Sequence, residues 1–366
     1  MTDNDEYRID SHKLLYHPER VAFWLEASDD WESARNVYPI YLEVSPSGGC
    51  NHRCSFCALD YMGYKPRFLD AGVMTDRLQE MGRLGVKSLM FGGEGEPLLH
   101  PRFRDLALAA KASGLDLALT TNGVLLKEDL AGDILPLLTW IKVSCNAGTA
   151  ATYARVHGTR KEDFDKVLFN LNRAVRIKKE RGLPVTIGVQ ILLLPENATE
   201  TAELARICRD EIEADYLVVK PYSQHQFSNT RCYEAIDYKA YLDLAEDLET
   251  YSSDRFKVIF RARTMHKYGH DRIYRTCHST PFFWGYVMAD GSLYSCSAYL
   301  GDERFCLGNL HEQDFRSVWE GTLRERNYRL VQNGLDISRC RRNCRMDEVN
   351  IYLWQLKNPP AHVNFI

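Results

Sequence analysis

Short apolar runs alternate with amphipathic helical patterns between residues 39 and 221. Segment 162–181 is the clearest helix, because its apolar residues recur every three or four positions and share one face. Strands that alternate with helices predict right-handed βαβ units and a parallel sheet. The predicted strands span 40–45, 86–91, 115–120, 140–145, 185–193 and 214–220, and the predicted helices span 75–84, 102–113, 127–138, 162–181 and 200–212.

Six such units predict an α/β fold, a partial (β/α)6 barrel whose active site lies at the carboxyl ends of its strands. Beyond residue 252 the pattern changes to short strands, tight turns and cysteines, and it ends in helical segments near 315–331 and 345–357. The Asp-Gly turn at 290–291 predicts a β-hairpin over 287–296. We therefore expect a helical N-terminal extension over 1–38, the barrel over 39–235, and a bridging helix with a smaller α+β domain over 236–366.

Composition narrows the class of protein. The 366 residues carry a net charge of −4, which gives no sign of bulk binding to nucleic acid or to a membrane surface. The acidic N-terminus lacks the features of a signal peptide, and no apolar run is long enough to span a bilayer, so we expect a cytoplasmic protein without a membrane partner. Eleven cysteines in a reducing compartment indicate metal binding or redox chemistry rather than disulfides.

Three of these cysteines, Cys50, Cys54 and Cys57, lie in one loop directly after the first predicted strand. Three thiolates so close together can hold three corners of a cubane iron–sulfur cluster. With no fourth cysteine nearby, one iron would keep an open coordination position, as a catalytic metal requires. The alternative is a zinc knuckle completed by His52 or by a remote residue.

The Cx3CxΦC spacing, with an aromatic residue before the last cysteine, resembles the signature of the radical S-adenosylmethionine (SAM) superfamily. The resemblance implies a [4Fe–4S] cluster whose open iron chelates SAM and whose electron cleaves SAM to a 5′-deoxyadenosyl radical. The sequence GGEGEP at 92–97 resembles the family's GGE motif, which holds the SAM amino group. Either Glu94 or Glu96 can be the family's glutamate, and Pro97 favours Glu96. Taken alone, the glycines would indicate only a tight turn.

The end of the fourth strand extends the resemblance. Family members often carry S-[LIV]-D-G after the fourth strand, with the serine and a downstream basic residue facing SAM. Ser144 and Arg155 match this pattern, whereas Cys145 and Asn146 depart from it. Cys145 is a candidate hydrogen donor at the mouth of the barrel, and its alternative is a small packed core residue. The cofactor-binding candidates are Phe56, Gly93, Glu94, Gly95, Glu96, Asn122, Ser144, Asn146, Arg155 and Gln190.

A second group of five cysteines lies between 277 and 344. The spacing Cx13Gx4C, the sequence GNL at 308–310 and the sequence VW at 318–319 resemble the SPASM/Twitch extension that follows radical SAM barrels. The resemblance implies an auxiliary [4Fe–4S] cluster held by Cys277, Cys296, Cys340 and Cys344, which fits the single-cluster Twitch form. Cys306 is either a substitute ligand or a bystander, and the alternative for the four cysteines is structural zinc.

The resemblance implies an oxidoreductase with SAM and two [4Fe–4S] clusters as cofactors and an electron donor such as flavodoxin or ferredoxin as partner. Two substrate classes stay open: a small polar molecule (a sugar, aminocyclitol or nucleotide derivative) that is oxidised or epimerised, or a ribosomal peptide. The 38 residues before the barrel are too few for a leader-recognition domain, which favours the small molecule. A zinc protein that binds nucleic acid through the arginines around Cys340 and Cys344 is the less favoured alternative.

Overall fold

One ten-stranded sheet organises the computed structural model, which describes residues 7–365. Its parallel strands follow one another in chain order: β1 (Tyr41–Val44), β2 (Ser88–Phe91), β3 (Asp116–Thr121), β4 (Leu138–Ser144), β5 (Thr186–Leu193), β6 (Tyr216–Pro221) and β7 (Lys257–Phe260). On the other side of β1 lies β8 (Trp284–Val287), also parallel, and then the antiparallel strands β9 (Ser292–Tyr294) and β10 (Cys306–Asn309).

The six predicted barrel strands are confirmed to within two residues at either end, and so is the hairpin with its turn at 290–291. Two features go beyond the prediction. Strand β7 adds a seventh parallel strand next to β6, and β8 pairs with β1, so the C-terminal hairpin continues the barrel sheet. Each of these strands has four residues, too few for its period-two pattern to reveal a partner. The boundary at 235/236 stays a prediction.

Helices cover the outer face of the sheet and the C-terminal part. The predicted helices are confirmed, with 200–212 continuing as a π-helical turn at Ile207–Ile212. The sequence analysis did not predict the short helix α6 (Ala150–His157). This helix begins where the Thr149 side chain accepts a hydrogen bond from the amide of Thr152. The helices are α1 (Pro18–Ala27), α2 (Trp31–Ala34), α3 (Ala71–Arg83), α4 (Phe103–Ala112), α5 (Glu128–Ile134), α6 (Ala150–His157), α7 (Glu162–Glu180), α8 (Thr201–Arg206), α9 (Leu244–Glu249), α10 (Ala262–His266), α11 (Phe315–Trp319), α12 (Thr322–Asn333) and α13 (Asp347–Lys357).

Alternation along the strands separates a helix-covered face from a lumen face. On β4, Ile141 and Val143 are fully buried in the main apolar core, so Lys142 between them faces the lumen. The same parity holds on β6, where Val219 belongs to the core and Val218 packs in a separate small cluster with residues 7 and 9 of the N-terminal segment. That cluster fills the lower end of the lumen and leaves the carboxyl ends of the strands for chemistry.

The N-terminal helices pack on the C-terminal part of the chain. Trp24 and Trp31 are buried in one apolar cluster with Phe282, Tyr328 and Leu353, which joins the first and last segments of the chain. Among residues 7–365, none of the helices combines the length and the apolar character that a membrane span needs.

Candidate active site

The loop that carries the first three cysteines leaves β1 and rests against the end of α6. The backbone amide of Arg53 donates to the carbonyl of His157 at 3.0 Å, and that of Ser55 donates to the carbonyl of Val156 at 2.9 Å. These bonds fix the loop to the rigid barrel, as a site that must hold three ligands in one geometry requires.

The three thiols of this loop influence one another. Burial raises the pKa of Cys50 to about 11 and raises the pKa values of Cys54 and Cys57 as well, and the charges of the other two thiolates raise the pKa of Cys54 further. Three converging thiolates therefore require a positive partner, and iron supplies it by replacing the thiol protons. This donor set fits the cluster that the sequence predicts, with Cys50, Cys54 and Cys57 as its ligands.

His157 supports Cys54 from the end of α6. The backbone amide of Asn146 donates to its Nε2 at 3.1 Å, so the ring proton must lie on Nδ1. Nδ1 lies 3.5 Å from Sγ of Cys54 and can donate to it. Burial lowers the pKa of His157 well below its usual value, which keeps the ring neutral in this tautomer. Phe56 packs edge-on against the same ring, with the ring centroids 5.5 Å apart.

His52 is buried beside this pair, and within the described chain neither of its ring nitrogens has a hydrogen-bond partner. Ligand atoms of His52, Cys54 and His157 all lie within 4.8 Å of one another. This trio differs from the zinc knuckle of three cysteines and His52 that the sequence left as an alternative. It leaves out two of the three clustered cysteines, and the cluster accounts for all three.

The glycine-rich segment after β2 runs close to the cysteine loop. A Cβ atom on Gly95 would lie 2.0 Å from the carbonyl oxygen of Gly49, so only glycine allows this approach. The amide of Glu96 donates to the same carbonyl at 2.9 Å. The Glu96 carboxylate accepts hydrogen bonds from the hydroxyl of Thr121 and from the amide of Asn122 at the end of β3, and burial raises its pKa.

Glu94 faces the opposite way from Glu96. Its carboxylate pairs with Arg67 at 2.8 Å and accepts a hydrogen bond from the amide of Ala289 in the C-terminal hairpin. Gly93 has a φ of +129°, and a Cβ atom there would lie 2.3 Å from Oγ of Ser45. Of the two glutamates, Glu96 is therefore the one bonded to the third strand end and next to the cysteine loop.

The ends of β3, β4 and β5 bring further candidates toward the lumen. The side-chain amide of Asn122 donates to Asn51 of the cysteine loop at 2.7 Å. Ser144 and Gln190 are register partners on β4 and β5, and Gln190 Oε1 is buried without a hydrogen-bond partner among the described residues. Arg155 is exposed on α6, 3.4 Å from the carbonyl of Glu196.

Cys145 and Asn146 do not lie where the sequence placed them. Cys145 is fully buried in the apolar core, its Sγ faces the carbonyl of Ala147, and burial raises its pKa to about 12. Asn146 is also fully buried; its Oδ1 accepts from the amide of Leu192 at 2.6 Å and its Nδ2 lies 3.2 Å from His157. The thiol is thus absent from the mouth of the barrel, and the amide is occupied by protein partners rather than free to hold SAM.

The four cysteines assigned to the auxiliary site line one cavity in the C-terminal part: Cys277, Cys296, Cys340 and Cys344. Burial raises the pKa of Cys296, and the neighbouring Cys344 and Cys277 raise it further. Cys306 is not among the residues that line the cavity, and its Sγ faces the carbonyl of Gly308 at 3.8 Å. A closed set of four thiols fits a cluster with no open iron.

The auxiliary cysteine loop reaches over the barrel. Arg345, next to Cys344, forms an ion pair with Glu43 of β1 at 2.6 Å and a hydrogen bond with Tyr41. Glu43 lies on the lumen face, because its neighbours Leu42 and Val44 belong to the outer core. Asn343 adds a hydrogen bond to the carbonyl of Tyr222, just beyond β6. The auxiliary cysteine loop thus contacts the barrel at β1 and just beyond β6.

Sequence reasoning missed His157 and two lysines of the lumen, Lys142 and Lys220. The signal for the lysines was present, because each is a charged residue in an otherwise apolar barrel strand and parity turns it inward. No sequence signal marked His157, since its contact with Cys54 depends on where α6 ends.

Residues 44–208 match the Radical SAM superfamily, and residues 252–345 match SPASM, an iron–sulfur cluster-binding domain. Among curated proteins, the GTP 3′,8-cyclase of Chlorobaculum tepidum is 26% identical over 194 residues, which cover 52% of this chain and 56% of the relative. The dTDP-4-amino-4,6-dideoxy-D-glucose ammonia-lyase of Streptomyces venezuelae is 29% identical over 179 residues, which cover 48% of this chain and 37% of the relative. The chain thus spans about half or less of these relatives.

Solved structures confirm the fold class. SuiB of Streptococcus suis, bound to S-adenosylmethionine, superposes with a TM-score of 0.64 at 18% identity over 94% of this chain and 79% of SuiB. The structure of anSMEcpe with bound AdoMet gives a TM-score of 0.58 at 18% identity over 85% of this chain and 88% of the anSMEcpe chain. Together with the two sequence matches, the cysteine geometry confirms the expected cofactors, SAM and two [4Fe–4S] clusters. The chain belongs to the radical SAM superfamily and carries a C-terminal SPASM-type iron–sulfur domain.

Proposed function

We propose that this protein is a radical SAM oxidoreductase that oxidises a small polar substrate in the barrel lumen. The bound cofactors supply the redox chemistry: a C–H hydrogen of the substrate leaves as an atom to form 5′-deoxyadenosine, the adjacent O–H or N–H leaves as a proton, and the electron released balances the one that cleaved SAM. The protein's own polar residues in the lumen would bind and orient the substrate.

The observation that carries the proposal is the ion pair between Arg345 and Glu43, which ties the auxiliary cysteine loop to the lumen face of β1. It supports a polar chamber in the lumen, with the auxiliary cysteine loop next to it. A substrate carbon bearing a hydroxyl or amino group would find hydrogen-bond partners there, such as the hydroxyl of the buried Tyr286 on β8, which has no partner among the described residues.

Two curated relatives support a small polar substrate. The printed names of the matched proteins include a cyclase of GTP and an ammonia-lyase of a dTDP-linked amino sugar. A peptide substrate remains the alternative outcome of the experiment below.

For SAM itself, we infer that Glu96 and Gly95 form the end of the amino-group site, since Glu96 adjoins the cysteine loop. Ser144 and Gln190 at the ends of β4 and β5, with Arg155 nearby, are the remaining side chains for its ribose and carboxylate. A one-electron donor such as flavodoxin or ferredoxin would start the reaction, as reductive cleavage of SAM requires.

Epimerisation, the competing reaction, needs a hydrogen donor on the opposite face of the substrate radical. Cys145 was the candidate, and its burial in the apolar core removes that support. Oxidation is therefore the reaction that we propose.

The experiment uses the anaerobically reconstituted protein with reductant, SAM and a panel of sugars, aminocyclitols, nucleotides and nucleotide sugars. We expect one compound to raise 5′-deoxyadenosine formation above the uncoupled rate and to yield a product lighter by two hydrogens. The control is the triple variant Cys50→Ala, Cys54→Ala, Cys57→Ala, which should form no 5′-deoxyadenosine. A product of unchanged formula that gains one deuterium in D2O would show an epimerase, and stimulation by a peptide alone would refute the small-molecule assignment.

A further inference from the structure

The lumen contains a concentrated group of cations, which we name the lumen cluster. Lys142 on β4 and Lys220 on β6 face inward, because their neighbours Val143 and Val219 belong to the outer core. Three arginines complete the cluster, because the charge of each lowers the pKa of one or both lysines. The lumen cluster consists of Lys142, Lys220, Arg261, Arg341 and Arg345.

The positive charge of the lumen cluster exceeds the negative charge that balances it. Arg345 pairs with Glu43, and Arg261 pairs with Asp10. Within residues 7–365, no carboxylate lies within ion-pair distance of Lys142 or Lys220. These two amines therefore face the lumen without an acidic partner. Arg341 likewise has no acidic partner in that part of the chain, and it influences the auxiliary cysteines Cys296 and Cys344.

Burial and mutual repulsion act on both lysines. Burial is the main reason that the pKa of Lys142 falls to about 7; the charges of Arg345 and Arg261 act in the same direction, and Glu43 opposes them. Burial also lowers the pKa of Lys220 well below its usual value, with Lys142 as the next cause. Two amines held this way in a folded barrel destabilise it unless an anion joins them.

Neighbouring polar groups are also without partners. Gln190 lies on β5, between the strands of the two lysines, and only 6% of its surface is exposed. Its Oε1 and the hydroxyl of the buried Tyr286 on β8 have no hydrogen-bond partner among the described residues. Buried polar atoms are normally bonded, so these groups point to a ligand that the lumen takes up.

We propose that Lys142 and Lys220 bind a phosphate group of the substrate, which identifies the substrate of the proposed oxidoreductase as a phosphate ester or a nucleotide. Only the statement that the phosphate belongs to the substrate rests on the proposed function; the phosphate site itself does not. Lysine is a common point-charge ligand for phosphate, and a phosphate dianion matches two amines where a carboxylate would neutralise one. Tyr286 then bonds a hydroxyl or amide of the same molecule.

Isothermal titration calorimetry on the anaerobically reconstituted protein, saturated with SAM, tests this proposal. The probes are inorganic phosphate, pyrophosphate and succinate. We expect wild type to bind pyrophosphate, Lys142→Met and Lys220→Met each to weaken that binding roughly tenfold or more, and the double variant to abolish it. Lys111→Met on the exposed face of α4 is the matched control and should bind as wild type does.

Near-ultraviolet circular dichroism and the visible spectrum of the clusters check that each variant is folded and loaded. Equal binding of pyrophosphate by wild type and the folded double variant would overturn the proposal, and so would its absence in wild type. Succinate binding as tight as that of pyrophosphate would overturn the phosphate assignment. Calorimetry needs no turnover, so these results are independent of whether wild type oxidises any compound of the substrate panel.

Discussion

Replacing His157 by glutamine should lower the reduction potential of the cluster held by Cys50, Cys54 and Cys57. His157 accepts from the amide of Asn146 at Nε2, so its Nδ1–H is available to Sγ of Cys54 at 3.5 Å. Such a bond stabilises a thiolate more when the cluster carries an additional electron. Glutamine can preserve the Nε2 side of the ring and removes the donor to the sulfur.

The size of the effect follows from the bond that is lost. A hydrogen bond to a charged acceptor contributes about 1.5–3 kcal/mol, and the distance of 3.5 Å places this one at the lower end. Because the added electron spreads over the cluster, we take roughly half of that lower value as the difference between the two redox states. At about 59 mV for each factor of ten in the equilibrium constant, this difference of about 0.75 kcal/mol should lower the potential by about 30 mV.

The matched variant is His157→Asn, whose amide can occupy the Nδ1 position and donate to Cys54. Its potential should stay within about 15 mV of wild type, on the same conversion. Redox titration followed by electron paramagnetic resonance gives the potentials, in a background of Cys340→Ser if the two cluster signals overlap. Iron content and melting temperature check that both variants are loaded and folded. A glutamine variant with an unchanged or higher potential would refute the tautomer assignment.

Three further predictions follow from the site. Cys340→Ser should halve the iron and sulfide content, whereas Cys306→Ser should leave both unchanged, because Cys340 lines the auxiliary cavity and Cys306 does not. The reverse result would contradict the ligand set. Gly95→Ala should reduce SAM binding in equilibrium dialysis, since its Cβ would lie 2.0 Å from a backbone oxygen, and Gly334→Ala, which has ordinary contacts, is the control. Pyrophosphate affinity should weaken as the pH rises through about 7, because Lys142, whose pKa burial lowers to about 7, then loses its charge; an affinity that stays unchanged from pH 7 to pH 9 would contradict this.

The barrel was predictable because its strands are continuous apolar runs separated by amphipathic helices. Both cysteine sites were predictable because their spacing is local: three thiols in one loop, and pairs that flank a hairpin and a short turn. The sequence left the role of Cys306 open, as a substitute ligand or a bystander. What each site contains is thus encoded in short segments of sequence.

Other features depend on contacts between distant segments. Cys145 was expected at the mouth of the barrel because it ends a strand, but it shares the face of β4 that carries Ile141 and Val143, and that face packs into the core. The pairing of β8 with β1 joins residues more than 240 positions apart, and a four-residue strand carries too little pattern to predict its partner. The His157 contact likewise depends on where a short helix ends.

The chemistry of the lumen depends on how the auxiliary cysteine loop is built. Arg341 follows Cys340 directly and Arg345 follows Cys344, so the thiols that hold the auxiliary cluster also determine where two cations of the lumen cluster lie. The ion pair between Arg345 and Glu43 then connects the auxiliary cysteine loop to β1, the strand that precedes the first cysteine loop. Ligand binding to a cluster site contributes folding free energy to the segment that holds it. Loading of the auxiliary site should therefore organise the substrate chamber as well as provide redox capacity, which explains why this domain continues the barrel sheet rather than standing apart from it.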